Sequence, residues 1–136
     1  LRADALRTRL QGTPMRSPRW LRPHTIKVIN VLPEKDMQEQ RSEAILERVK
    51  VELVRSSSLG NTGRSNQDSV SVVIDANDIK ATKEYSEPQN FRNPMRQFTL
   101  RAGDRLEYQG QEYEITGVTH TNPLRNEPEF IEVQAE

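Results

Sequence analysis

The clearest alternation of apolar and polar residues along the chain lies in AGDRLEYQGQEYEITGV, residues 102–118. Four apolar side chains recur at every second position on the two sides of a glycine: Leu106, Tyr108, Tyr113 and Ile115. Gly110 supplies the positive φ that a tight turn after Gln109 needs, and Gly117 interrupts the phase as a bulge does. The pattern predicts a β-hairpin with its apolar side chains on one face.

The same period of two recurs elsewhere and predicts further strands. HTIKVINVLP (residues 24–33) and VSVVID (residues 70–75) alternate clearly, and FTL and FIEVQAE predict two more strands near the C-terminus. AILERVKVELVR (residues 44–55) fits both a helix face and a strand face, and its β-branched residues favour the strand. With about six or seven strands and little helix, we expect a mainly β fold, a small antiparallel barrel or sandwich with long loops and an N-terminal arm.

Polar segments separate the predicted strands. EKDMQEQRSE (residues 34–43) is predicted to be a polar connector, and residues 76–97 an irregular excursion with two prolines. Residues 55–69, rich in Ser, Gly and Asn, predict a long loop or an exposed hairpin tip. We expect this loop to be mobile and to take part in interactions through Leu59 and Arg64.

Composition makes the chain polar for its 136 residues, with 33% hydrophobic, 29% charged and 5% aromatic residues. That length predicts one domain with a modest core, so we expect part of the chain to lie in arms or loops, or to become ordered against other subunits. No run approaches the roughly 20 apolar residues of a membrane span, and we expect no membrane association. Without cysteine, disulfides and thiolate metal sites are excluded.

The net charge of zero conceals an uneven distribution. Residues 1–23 hold six arginines against one acid, a net charge of +5, and the remainder holds 14 Lys and Arg against 19 Asp and Glu, a net charge of −5. We therefore divide the chain into a basic arm or linker (residues 1–22) and a β domain (residues 23–136). The arm is expected to contact an acidic partner or a neighbouring copy, and the alternative is a solvated terminus that precedes a natural start at Met15. The residues expected to make the contact are Arg7, Arg9, Arg16, Arg19 and Trp20.

No group of side chains in the sequence has the spacing of a catalytic or metal site. His24 and His120 have neither cysteine partners nor a second histidine at helical spacing. Asp75 and Asp78 follow a strand, where catalytic carboxylates can lie, but acidic residues at such positions are ordinary turn formers. We expect no catalytic residue, no cofactor and no metal, and a small hydrolase is the enzymatic alternative.

Aromatic residues on the strands of LEYQGQEYEIT suggest a second alternative, the nucleic-acid-binding face of an OB-like module. The outward positions of this hairpin are largely acidic: Glu107, Glu112 and Glu114. Carboxylates repel phosphate, which argues against that interpretation.

The hairpin and the order of segments around it resemble the small head-tail connector proteins of long-tailed bacteriophages, the head-closure, joining or stopper proteins of the neck. Members of this family end in a Gly-Asp hairpin with a glycine turn and a Tyr-x-Ile strand, followed by a polar loop and a last strand. The resemblance covers roughly residues 24–136 and does not include the arm. The matching residues are Gly103, Asp104, Arg105, Leu106, Tyr108, Gly110, Tyr113, Ile115 and Val118.

This resemblance implies a compact β-barrel that assembles into a homo-oligomeric ring in the virion neck, after synthesis in the host cytoplasm. The ring would lie between the portal or adaptor ring and the tail-terminator or tail proteins, close the head after DNA packaging and present the tail attachment surface. Long loops would make non-specific contact with packaged DNA. A tail terminator or another neck ring protein is the nearest alternative.

Overall fold

Two long strands, both continuous across a bulge, organise the fold. The structure is a computed structural model that describes residues 16–57, 66–121 and 129–136. Nine strands lie in these ranges, with no α-helix among them: β1 (His24–Lys35), β2 (Gln38–Ser57), β3 (Asn66–Asp75), β4 (Lys80–Ala81), β5 (Glu84–Tyr85), β6 (Gln97–Phe98), β7 (Arg105–Tyr108), β8 (Gln111–Thr121) and β9 (Phe130–Ala135).

Six of these strands close into an antiparallel barrel. The order around the wall is β1-β7-β8-β9-β3-β2, and the pairing of β2 with β1 completes the circle. β4 adds to the outer edge of β2, and β5 pairs with β6 in a separate two-stranded parallel sheet. The predicted fold class, a small mainly antiparallel barrel, is confirmed.

β2 and β8 each change pairing partners at a bulge. The first half of β2 pairs with β1 and the second half with β3, and Arg48 lies at the change with a φ of 59°. β8 passes from β7 to β9 across the register shift between Ile115 and Gly117. Bulges bend a strand sharply, so these two positions are corners of the barrel, and the bulge predicted at Gly117 is confirmed.

The core is filled by the inward side chains that alternation predicted. Leu106 and Ile115 of the hairpin are at most 1% exposed, and Tyr113 is 8% exposed. They share one cluster with Val70 and Val72 of β3 and with Phe98 and Leu100. Tyr108 and Val118 pack against this cluster and are partly buried.

Several predicted boundaries were wrong. Residues 34–43 are not a connector: they form the end of β1, a two-residue turn and the start of β2. The strand predicted at FTL is limited to Gln97–Phe98, and residues 19–21 form a 3-10 turn in the predicted linker. The loop predicted at residues 55–69 is shorter, because β2 continues to Ser57 and β3 begins at Asn66. The centre of this loop, with Leu59 and Arg64, lies outside the described residues. That the loop is mobile therefore stays a prediction.

Among the described residues, no helix has the length and apolar character needed to cross a membrane.

Candidate functional site

A buried pair of carboxylates lies at the barrel corner formed by the bulge of β2. Asp75 ends β3 and Asp78 lies in the turn that follows, with exposures of 0% and 7%. The backbone amide of Asp78 donates to the Asp75 carbonyl (3.0 Å), and the Asn77 amide donates to Asp75 Oδ1 (2.9 Å). The side chain of Asp75 therefore has the turn-forming role that was predicted for both aspartates.

Asp78 is surrounded by arginine side chains. Arg19 binds it with two nitrogens, Nε at 2.9 Å and Nη2 at 3.1 Å. Arg22 Nη2 lies 2.9 Å and Arg48 Nη1 3.0 Å from the same carboxylate, and Arg16 approaches to 3.6 Å. A buried carboxylate needs such partners, because isolated charges are costly to remove from water.

Arg22 ties the segment before β1 to the barrel wall. Its side chain is 2% exposed. Nε and Nη2 donate to the hydroxyl and the carbonyl of Ser17, both at 2.7 Å, and Nη1 donates to the Arg48 carbonyl at 3.0 Å. Ser17 in turn donates its amide and its hydroxyl to Asp75 Oδ2, at 2.6 and 3.0 Å. We call this set of contacts between residues 16–22, Arg48 and the two aspartates the arm anchor.

Arg48, the residue at the bulge of β2, takes part in the arm anchor through both its backbone and its side chain. A non-glycine residue at positive φ is unfavourable by roughly 1–2 kcal/mol. The positive φ of Arg48 is accompanied by an ion pair from its side chain to Asp78 and a hydrogen bond from Arg22 to its carbonyl. The corner of the barrel and the position of the arm are thus held by the same residues.

The arm anchor carries more positive than negative charge. The guanidinium of Arg19, and then that of Arg22, hold the pKa of Asp78 well below its ordinary value, so the carboxylate stays ionised. Four arginines face two aspartates, a net charge of +2. The surplus lies at the surface, because the side chains of Arg16 and Arg19 are 56% and 47% exposed.

Trp20 projects from this anchored segment into solvent. It lies in the 3-10 turn Arg19–Leu21 and is 77% exposed. Leu21 beside it is 42% exposed. Of the residues predicted to make contacts, the structure brings Arg16, Arg19 and Trp20 together, whereas Arg7 and Arg9 lie outside the described residues.

A second polar cluster explains the Gly-Asp start of the hairpin. Asp104 is 2% exposed and accepts hydrogen bonds from Asn30 Nδ2 (2.9 Å), the Val31 amide (2.9 Å) and Arg101 Nε (2.8 Å). Gly103, with a φ of 97°, permits the turn that precedes it. This aspartate attaches the start of β7 to β1, which is a structural role.

The histidines have separate surroundings. His24 Nδ1 accepts a hydrogen bond from the Val51 amide (3.0 Å), and its ring meets Tyr108 edge-on at 5.7 Å. His120 lies exposed on β8. In the part of the chain that the structure describes, no three acidic or histidine side chains lie close enough together to hold a metal ion.

Sequence reasoning missed Ser17, Arg22 and Arg48 as members of the arm anchor. One signal was available: Arg16, Arg19 and Arg22 recur at intervals of three. In a segment with three residues per turn, such positions project from the same side. Comparisons of the chain with family models, with curated proteins and with solved structures found no match.

Proposed function

We propose that the chain is a structural protein of a bacteriophage neck, which forms a ring between the portal or adaptor and the tail. One observation carries the proposal: the residues that resemble the head-closure hairpin lie in the wall and turns of a closed barrel, where they build the scaffold. Gly110 lies in the turn of the hairpin with a φ of 81°, and Asp104 attaches the start of the hairpin to β1. Leu106 and Ile115 of the hairpin are buried in the core.

One feature outside the closed wall suits a subunit of an assembly. β1 begins opposite Val49 and β9 ends opposite Val70, so β2 beyond Val49 pairs only with β3, and β3 before Val70 pairs only with β2. The part of the sheet with only two strands, the β2–β3 ribbon, consists of Val54–Ser57 paired with Asn66–Ser69. An isolated ribbon has little stability of its own in water, and contact with another subunit or an axial neighbour would support it.

The nucleic-acid alternative has less support from the hairpin. Stacking of bases needs exposed aromatic rings on the strand face. Tyr113 is buried and Tyr108 is partly buried against the core and His24.

The proposal is tested by removing the protein from the phage that encodes it. With a nonsense mutation in the gene, we expect heads that package DNA but lose it, together with complete tails that remain unattached. Wild-type protein supplied from a plasmid should restore virions, and gold-labelled antibody should mark the neck. Tails of irregular length would assign the chain to the tail terminator instead, and complete infectious virions without the protein would refute a neck function.

A further inference from the structure

We propose that Arg16, Arg19 and Trp20 bind single-stranded nucleic acid, with phosphates on the two guanidinium groups and a base stacked on the indole ring. We call these three residues the Trp20 patch. The inference goes beyond the proposed neck function and does not rest on it. The patch lies on the segment before β1, and not on the hairpin whose acidic outward residues argue against nucleic acid.

Trp20 is exposed on a backbone that is held on both sides. Arg19 before it and Arg22 after it both bind the buried Asp78 at 2.9 Å. The 3-10 turn Arg19–Leu21 presents the tryptophan to solvent with 77% of its surface exposed. Proteins that bind single strands stack bases on exposed aromatic side chains. A backbone that is already ordered also loses little conformational entropy when the ligand binds.

The two arginines of the patch keep part of their hydrogen-bonding capacity for a ligand. The side chains of Arg16 and Arg19 are 56% and 47% exposed. The contacts described for Arg19 use Nε and Nη2 on Asp78, and Arg16 approaches the same carboxylate only to 3.6 Å. A guanidinium has five N–H donors in a planar fork that matches phosphate oxygens. Both arginines can therefore bind phosphate while they hold Asp78.

The charge around the patch favours a polyanion. The arm anchor has four arginines and two aspartates, a net charge of +2, and both aspartates are buried. Glu47, which precedes Arg48 on β2, pairs with Lys80 at 3.7 Å and adds no net charge. Residues 16–23 contain no acid, whereas residues 24–136 carry a net charge of −5. We therefore expect a polyanion to bind at this segment and to be repelled by the rest of the chain.

The shape of the patch suits a strand. Residues 16–20 line a concavity of about 390 Å³ that is open to solvent. Such a surface lets a strand pass across it, whereas a small ligand gains most of its affinity from enclosure. A single strand offers a phosphate and an unstacked base in every repeat unit, so it matches arginine and tryptophan together. A duplex keeps its bases stacked inside and offers the patch mainly phosphate.

The fluorescence of Trp20 tests the proposed contact directly, because the chain contains one tryptophan. We would titrate the full chain at low salt with an oligothymidylate of about 15 nucleotides. A base stacked on the indole ring quenches its emission, so we expect saturable quenching that weakens as salt is raised. Poly-glutamate, a DNA duplex of the same length and thymidine monophosphate are the comparison ligands. Each should quench less than the oligonucleotide at the same concentration of negative charge.

Variants are compared by the fluorescence anisotropy of a labelled oligothymidylate, since one of them lacks tryptophan. Trp20→Ala should weaken binding by about tenfold or more. Arg16→Gln should reduce the slope of log binding constant against log salt by about 0.7, the contribution of one phosphate contact on a single strand. Met95→Ala and Arg92→Gln, at exposed residues outside the patch, are the matched controls and should bind as the wild type does. All four residues are exposed, so circular dichroism should show the wild-type fold for each variant.

Each of the following results would overturn the proposal. They are an absence of quenching up to the solubility limit of the protein, equal binding by Trp20→Ala and wild type, and an unchanged salt slope for Arg16→Gln. Equal quenching by poly-glutamate would instead assign the surface to an acidic protein partner, and equal quenching by thymidine monophosphate to a free nucleotide. Duplex binding as tight as that of the single strand would mean that phosphate is bound without stacking.

Discussion

At the scale of single residues, Asp78 has the largest number of charged partners described in the molecule. One buried carboxylate lies within 4 Å of guanidinium nitrogens from four arginines. Each exposed pair contributes little, because solvent screens it. The contact with Arg22 differs, since both side chains are at least 95% buried. The stability of the corner therefore depends mainly on this pair.

Replacing Asp78 with Asn should destabilise the protein by about 3–5 kcal/mol, because it leaves the buried Arg22 without its closest counter-charge. Urea unfolding followed by circular dichroism would measure the change. Asp68→Asn, on an exposed position of β3, is the matched control and should remain within about 0.5 kcal/mol of wild type. A loss below about 1 kcal/mol for Asp78→Asn would show that Asp75 alone can compensate Arg22.

The contribution of Asp78 should also depend on pH. Its folded-state pKa lies below the ordinary value of 3.8. The unfolded chain therefore takes up a proton before the folded chain does, and the stabilisation is complete above that value and is lost as the pH falls below it. We expect the difference in unfolding free energy between wild type and Asp78→Asn to be constant from neutral pH to about pH 5 and to shrink below about pH 4. A difference that stays constant down to pH 2 would contradict this.

At the scale of elements, two hairpin turns in the barrel use positive φ in different ways. Asp36 and Met37, between β1 and β2, have φ values of 56° and 64° without any glycine. Gln109 and Gly110, between β7 and β8, have values of 53° and 81°. Such turns match the twist of the strands that they join. The β7–β8 turn therefore places a glycine at one of its two positive-φ positions, whereas the β1–β2 turn has no glycine at either.

Gly110→Val should destabilise the protein by about 1–2 kcal/mol, because a β-branched residue disfavours positive φ. A Cβ atom at this position would meet no atom within 4 Å, so the cost comes from the backbone conformation and not from a clash. Gly110→Asn is the matched control, since asparagine tolerates this conformation and should lose less. Thermal unfolding would measure both variants, and equal losses would point to a steric cause.

Ile115 tests the position of the core within the same hairpin. It is 1% exposed, and Ile115→Ala should reduce stability by about 2–4 kcal/mol through lost burial and the cavity left behind. Glu114→Ala changes the neighbouring exposed residue of β8 and should remain within about 0.5 kcal/mol. Unchanged denaturant unfolding of Ile115→Ala would mean that the apolar face has been assigned to the wrong side.

At the scale of the whole molecule, the basic segment and the barrel share one set of contacts. Residues 16–22 supply Ser17, Arg19 and Arg22 to two aspartates that lie more than 50 residues further along the chain. A truncation at residue 22 therefore removes part of the support of the barrel corner, in addition to any surface for partners.

Two truncations distinguish these roles. A chain that begins at residue 16 retains the arm anchor, and a chain that begins at residue 23 leaves Asp75 and Asp78 with Arg48 as the remaining cation of the anchor. We expect the shorter chain to be less stable than the longer one by about 3 kcal/mol, because it loses the buried ion pair between Arg22 and Asp78 and the hydrogen bonds of Ser17. Equal urea midpoints for the two chains would show that the anchor contributes no stability.

Local patterns in the sequence were sufficient to predict the strands with two faces. Residues 102–118 predicted a hairpin, its turn at Gly110 and a bulge at Gly117, because alternation and positive φ are properties of neighbouring residues. The strand at residues 70–75 was predicted for the same reason. Residues 34–43 were not recognised as strand. They lie mostly exposed around the β1–β2 turn, and because neither face of this segment packs on the core, its apolar and polar residues do not alternate.

Only the tertiary structure decided where the arm lies and how the barrel closes. Arg16 and Arg19 were expected to contact an acidic partner or a neighbouring copy, and the sequence did not indicate that both pair with Asp78 of the same chain, about 60 residues away. Nor did it indicate that Arg48 would adopt a positive φ and turn β2 from β1 to β3. Alternation reveals which side of a strand faces the core, but it carries no information on which distant strand or charge will be its neighbour. That choice depends on packing the whole barrel and on pairing each buried charge within it.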